Sequence, residues 1–309
     1  MRLPVAVLGV AALLALGADC VASDRPLVLS LDGELYLLPN VFAYDDLAGV
    51  RGVALRERMD DDDWALWAPI RHAPDDVRGE RGTIAVLASP SAEHWLGTDD
   101  RGRDVAARLV HGARQSLALA ALAALLAGLA GLGLALVAVR AGPIPTAGAL
   151  AACDAIAAVP PLLAVVAVQG LVGHAGLVLA AVLIAAPRAA DLARLTIAGL
   201  RATLVEPWCE AARAAGATPG RVIRRHALPH AAPVIGVAIA TTAATAVLAE
   251  AALAFVGFGA PPPTASWGEL LAQATAHDLR WWLAVPAGLA VTVLAAALFA
   301  VAERSRGKA

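Results

Sequence analysis

The groups in this 309-residue chain that could carry acid–base, nucleophilic or metal chemistry are scattered along it. The histidines, His72, His94, His111, His174, His226, His230 and His277, never fall at the H-E-x-x-H spacing that sets two imidazoles on one helical face around zinc. Cys20, Cys153 and Cys209 are far apart and odd in number, which suits neither a disulfide framework nor a thiolate metal site, so they read as small apolar fillers. The run Asp60 to Asp63 lacks the spaced ligands and glycine of a calcium loop and reads as a solvated acidic turn. Ser116 has no base in reach by spacing, so no catalytic residue and no metal site is expected. Lys308 is the only lysine, which rules out a G-x-x-x-x-G-K-[ST] phosphate loop. No cofactor is expected in this chain, and any ATP and magnesium would be bound by another.

Two carboxylates, Asp154 and Glu250, stand in strongly apolar surroundings. An ionisable group inside a membrane is expensive and marks a functional position by default. Both are candidates for lining a pore or pairing across a subunit interface, with helix capping or headgroup contact as the alternative. Arg188, Asp191 and Arg194 form i, i+3 pairs of about 0.2–0.5 kcal/mol each and read as structural. The most specific spacing is Glu210-Ala211-Ala212-Arg213-Ala214-Ala215-Gly216 followed by Leu228-Pro229. Its physical sense is a helix-turn-helix at a membrane face. Alanines permit close approach of another protein, Gly216 permits a tight turn, and Pro229 marks entry into the next apolar run. At Gly216 a side chain is expected to strike a neighbouring helix or to force a positive φ. Glu210 suits a charge-assisted hydrogen bond to a partner or to an arginine of its own loop.

The elements that position these residues are apolar. Hydrophobic residues make up 59% of the chain and its mean hydropathy is +0.69, above the roughly 45–50% apolar content of soluble domains. Six runs approach the roughly 20 residues needed to span a bilayer: Leu3 to Val21, Gln115 to Val139, Ala149 to Leu171, Ala175 to Ile197, Ala231 to Val256 and Trp282 to Ala302. The first also resembles a signal peptide, through Arg2 and the small residues Ala15 to Ala18, and is read as a retained helix. Residues 22–114 form a polar extracytoplasmic region ending in an amphipathic segment. Within it Asp32-Gly33, between the apolar runs Leu27 to Leu31 and Glu34 to Leu38, signals a two-residue β-hairpin. Residues 115–302 form the membrane core, with a cytoplasmic loop at about 198–230, and 303–309 form a tail. The net charge of -2 points to no nucleic-acid partner; it hides an uneven spread in which the acids sit mostly in Asp19 to Asp104 while the carboxy-terminal half is punctuated by Arg. Arginines 188, 194, 201, 213, 221, 224 and 225, with Arg304, Arg306 and Lys308, place that loop, the tail and the amino terminus in the cytoplasm. Trp267, Trp281 and Trp282 then fall at an outer interface.

The Glu210 to Pro229 stretch resembles the EAA loop of ABC-importer permeases, in which a glutamate, two alanines and a glycine precede Leu-Pro at fixed distance. His226 stands where the general pattern has an aliphatic residue. His94 to Asp104, with Gly97, Thr98, Asp99, Gly102, Arg103 and Asp104, followed by Arg108, Gly112, Ala113, Arg114, Ser116 and Leu117, is similar to the segment before the second span of dipeptide and oligopeptide permeases. So is Ala249 to Gly259, continuing through Pro262, Pro263 and Thr264 to Ser266-Trp267-Gly268. From about Glu93 onward the chain thus resembles the inner-membrane permease subunit of the dipeptide/oligopeptide (peptide/nickel) ABC importer family. That resemblance implies an all-α membrane protein with six transmembrane helices of the type I ABC importer permease fold, plus a small β-containing insertion. It also implies a second homologous permease subunit, two cytoplasmic ABC ATPase subunits that bind ATP and magnesium, an extracytoplasmic solute-binding protein and a surrounding lipid bilayer. In the family the loop docks on the ATPase, which makes Glu210, Ala211, Ala212, Gly216, Leu228 and Pro229 the coupling residues. A secondary transporter is the alternative, and it would show inverted repeats and midplane acids. The cargo is left open among dipeptides, longer peptides, nickel complexes and peptide antibiotics.

Overall fold

In hydrocarbon every backbone N–H and C=O must be satisfied within its own segment, so the apolar runs become helices. The computed structural model describes residues 2–77, 84–172, 176–261 and 263–306. His174, Pro262 and Lys308, singled out in the sequence, lie outside them. The chain forms two compact units, one of Met1–Val7, Ala118–Ala249 and Leu294–Ala309, the other of Leu8–Leu117 and Glu250–Val293.

Among the described residues three stretches are long and apolar enough to cross a membrane: Val105–Ala141, Pro219–Phe255 and Trp281–Arg304. The other expected spans take different forms. The first is helix α1 (Arg2–Leu16) followed by the short α2 (Ala18–Val21). The third is split into α5 (Pro143–Ala157) and α6 (Pro161–Val172). Pro160 and Pro161 cause the split, since a proline lacks the N–H for the preceding turn and pushes the residue before it out of the α region. Helix α7 (Leu177–Leu204) covers the fourth run but carries Arg188, Asp191 and Arg194 along its length.

Helix α4 (Val105–Ala141) begins at Val105 rather than Gln115, because Asp104 supplies its N-terminal cap: Oδ1 accepts the Ala107 N–H at 2.7 Å. In the first unit α4 meets α7 closely at Gly131, where a Cβ would lie 2.6 Å from the Ala189 carbonyl. Leu192, Leu200, Ala227, Ala231 and Ile235 form the core between α7 and α10 (Leu228–Phe255).

The second unit contains α3 (Gly52–Arg58) and a three-stranded antiparallel sheet of β1 (Val28–Leu31), β2 (Glu34–Leu37) and β3 (Trp64–Leu66), ordered β2-β1-β3. The expected hairpin is present with Leu31 opposite Glu34, and Asp32 and Gly33 both have positive φ, as a type I′ turn demands. Strand β3 has no counterpart in the sequence reading. The acidic run serves as a brace for it: the Asp63 carboxylate accepts the N–H groups of Asp32 and Asp60, each at 3.0 Å. Leu29, Leu31, Tyr36, Leu47 and Leu55 make the core beneath the sheet. The same unit holds α11 (Trp267–Ala276) and the start of α12 (Trp281–Arg306).

Candidate functional site

The loop with the EAA spacing is built by α8 (Pro207–Ala214), α9 (Pro219–Val222) and a π-helical turn Ile223–Ala227 that runs into α10. Glu206 precedes Pro207, whose fixed φ suits the first turn of α8. Gly216 ends α8 in a Schellman motif: its own N–H reaches the Arg213 carbonyl at 2.9 Å and the Ala217 N–H reaches the Ala212 carbonyl at 3.0 Å. Its φ is +85°, so the expected positive φ is observed; the expected collision is not, as nothing lies within 4 Å of a built Cβ. Arg213 turns back to donate to the Leu204 carbonyl. Glu210 is exposed and has no side-chain partner among the described residues, so the in-loop arginine pairing does not form. Ala211 is exposed and Ala212 half-buried, whereas Cys209 is buried and anchors the opposite face of α8. Leu228 and Pro229 open α10, and the π turn just before them matches the N–H that Pro229 cannot donate. Trp208 sits edge-on to His226 and His230, at 6.0 and 6.1 Å.

In the same unit Asp154 of α5 accepts from Arg194 of α7 at 2.8 Å, and Arg194 also holds Asp191 at 2.6 Å. Arg188 adds a contact to Asp191 at 3.5 Å. Arg188, Asp191 and Arg194 face a cavity of about 650 Å³ bounded by Pro233, Val237, Thr241 and Thr242 of α10. The pairs expected along one helix are therefore part of a chain between two helices, and Asp154 is its exposed end, 64% accessible.

Gly97 to Asp104 form a tight knot ahead of α4, with Thr98 and Asp104 bridged antiparallel. Buried Asp99 accepts the N–H groups of Arg101 and Arg103 and the Arg103 Nε at 2.7 Å. Arg103 reaches Glu269 of α11 at 3.0 Å, and fully buried Arg108 donates to the other Glu269 oxygen and to the Pro74 carbonyl at 2.9 Å. Burial alone would lower the Arg103 pKa, but the hydrogen bonds and charges of Asp99 and Glu269 win and hold it above its ordinary value. Gly97 and Gly102 take positive φ at the knot's turns. Asp104 also accepts from His94 Nδ1 at 2.9 Å, which raises the imidazole pKa.

Glu250 is buried in the second unit. It is 5% exposed and accepts from Ser116 of α4 at 3.2 Å and from Ser266 at 2.6 Å. Ser266 is in turn the N-cap of α11. Trp267 and Trp282, expected at an outer interface, are buried: Trp267 Nε1 donates to the Leu109 carbonyl at 2.8 Å and Trp282 Nε1 to that of Thr98 at 3.3 Å. Gly112 makes room for Trp267, since a Cβ there would lie 2.6 Å from the indole. Only Trp281 of this trio is exposed. Glu269 was missed by sequence reasoning; its signal was an acid three residues after a serine N-cap, in a stretch noted only for its Trp-Gly.

Residues 114–306, which take in α8 to α10, match the family described as binding-protein-dependent transport system inner membrane component. A Brucella suis biovar 1 protein, whose name provisionally makes it a peptide transport system permease protein, is 34% identical over 243 residues, 76% of this chain and 80% of that one. The inner membrane ABC transporter permease protein YejE of Escherichia coli K12 is 27% identical over 314 residues, 95% of this chain and 88% of that one. Among solved structures, a chain of the inward-facing MetNI methionine ABC transporter superposes with a TM-score of 0.54 at 22% identity. It covers 65% of this chain and 95% of that one, which is a likeness of fold.

Proposed function

The chain belongs to the family of binding-protein-dependent transport system inner membrane components, and on that premise we propose that it forms half of the translocation path of a peptide importer and couples to its ATPases through α8. As a permease subunit of an ABC importer it is a membrane protein. The proposed assembly adds a second permease subunit, two cytoplasmic ATPases that bind ATP and magnesium, and an extracytoplasmic binding protein. Peptide cargo is supported by the names of the Brucella suis relatives.

The observation that carries the coupling role is the exposed, glycine-terminated helix α8, with Glu210 on it lacking a side-chain partner among the described residues and Cys209 buried beneath. A short helix held rigidly at both ends can be pushed as a body. Closure of the ATPases on ATP would shift α8 and bias the bundle between two states, which is what coupling requires. The cavity bordered by Arg188, Asp191 and Arg194 supports a path between α7 and α10 for a polar solute.

Gly216→Val forces a β-branched residue into φ +85°, at a cost of about 1–3 kcal/mol. The strain falls on the end of α8, so the variant is expected to reach normal membrane levels yet lose most co-purifying ATPase and substrate-stimulated hydrolysis. Glu210→Ala is expected to show the same defect more mildly. Wild-type retention and stimulation in Gly216→Val would remove the coupling role.

A further inference from the structure

We propose that His72, His94 and Asp104 form a binding site for a borderline divalent cation of the zinc class. The three come from separate stretches: His72 from the loop after β3, His94 from the turn Ser91 to Gly97, and Asp104 from the cap of α4. One potential ligand atom from each lies within 4.8 Å of the others, and all three side chains are more than nine-tenths buried.

The surroundings orient them as a metal site's supporting contacts do. His72 Nε2 is fixed by the Glu93 carbonyl at 3.2 Å, which leaves Nδ1 open. The two imidazoles stack with centroids 4.5 Å apart and planes 28° from parallel. Asp104 Oδ1 is held by the Ala107 N–H, while Oδ2 accepts from His94 Nδ1, whose proton a bound cation would displace. Beside them a cavity of about 260 Å³, rimmed by Ile70, Arg71, Glu93 and Trp95, reaches both His72 and Asp104. It offers an entry path and room for a water as the remaining ligand.

Zinc with nitrogen and oxygen ligands at about 2.0–2.2 Å keeps tetrahedral neighbours roughly 3.3–3.6 Å apart. His94 Nδ1 and Asp104 Oδ2, now 2.9 Å apart, would part slightly as the ion enters, and His72 would turn in from a separation of up to 4.8 Å. Two imidazoles and one carboxylate suit zinc, cobalt, nickel or copper, whereas calcium and magnesium want six or more ligands, mostly oxygens. An ion here would clip the loop after β3 to the first turn of α4.

The test uses the full-length chain in its complex in nanodiscs, stripped with chelator and dialysed against zinc chloride. Wild type is expected to retain one zinc per chain above background, to show a raised unfolding temperature with zinc, and to give a visible d–d absorption with cobalt. Magnesium and calcium in excess should displace none of it. His72→Gln and His94→Gln should each lose at least tenfold in affinity, with His226 and His230 as unchanged background in every sample. If the wild type retains no more zinc than His72→Gln, or shows neither the cobalt absorption nor the thermal shift, the site does not exist. The thermal and cobalt measurements need only wild type, so misfolding of a variant leaves the answer intact. The readout is metal and not transport, so its failure leaves the permease reading standing.

Discussion

A guanidinium with no exposed surface is tolerated only when its charge and its donors are answered on every side. Arg108 comes close to that condition: its terminal nitrogens donate to Glu269 and the Pro74 and Thr264 carbonyls, while its Nε makes no hydrogen bond and has only the charge of Asp99 Oδ2 at 3.4 Å. Glu269 is shared with Arg103, so the knot is one network rather than separate pairs. Removing one partner of such a network leaves an uncompensated buried charge, typically 3–5 kcal/mol, while removing both ends costs much less. Arg108→Met and Glu269→Gln are each expected to lower the unfolding temperature of the detergent-purified chain sharply, and the double variant to lose less than the sum of the two. Additive losses would show that the two residues act independently. The sequence displayed Asp99, Arg103 and Arg108 as one motif but gave no reason to join them to Glu269, which lies 161 positions from Arg108. Glu250 was visible as an acid in an apolar run, yet its hydroxyl partners Ser116 and Ser266 stand 134 and 16 positions away. Partners set by the fold are not written locally.

At the scale of elements, legibility followed the strength of local chemistry. Asp32-Gly33 announced its hairpin because both turn positions need φ > 0, a demand few residue pairs meet. Strand β3 carried no comparable signal, since three residues make no period, and it is recruited by pairing with β1. The third span looked continuous by hydropathy, although Pro160 and Pro161 divide it into α5 and α6. The hairpin supplies Leu29, Leu31 and Tyr36 to the core that α3 also joins through Leu55. Deleting residues 27–38 should therefore collapse this part of the second unit and impair assembly or binding-protein docking. Helix α8 belongs to the other unit, so basal ATP hydrolysis by any assembled complex should stay within about twofold of wild type. Loss of hydrolysis in complexes shown by gel filtration to be intact would mean that the sheet takes part in the ATPase cycle.

Across the whole molecule, the acids are concentrated in the second unit while a run of arginines collects on one inter-helix segment of the first, and that run bears on direction. The acidic turn Asp60 to Asp63 lies in the second unit, while Arg201, Arg213, Arg221, Arg224 and Arg225 lie in the first, on the segment between α7 and α10. Arginines near span ends are retained on the cytoplasmic side, whereas acids contribute little to orientation. The segment from Arg201 to Arg225 should therefore face the cytoplasm and the sheet the opposite side. Asp62 and Arg213 are both exposed, so a cysteine at either can react wherever the reagent reaches it. Cys153 and Cys209 are buried and Cys20 is half-buried, so all three would first be replaced by alanine or serine to give a silent background. In intact cells Asp62→Cys should then react with a membrane-impermeant maleimide, and Arg213→Cys should react only after the membrane is opened. Labelling of Arg213→Cys in sealed cells, with Asp62→Cys protected, would reverse the orientation. It would also withdraw the coupling role, because α8 would face away from any cytoplasmic ATPase.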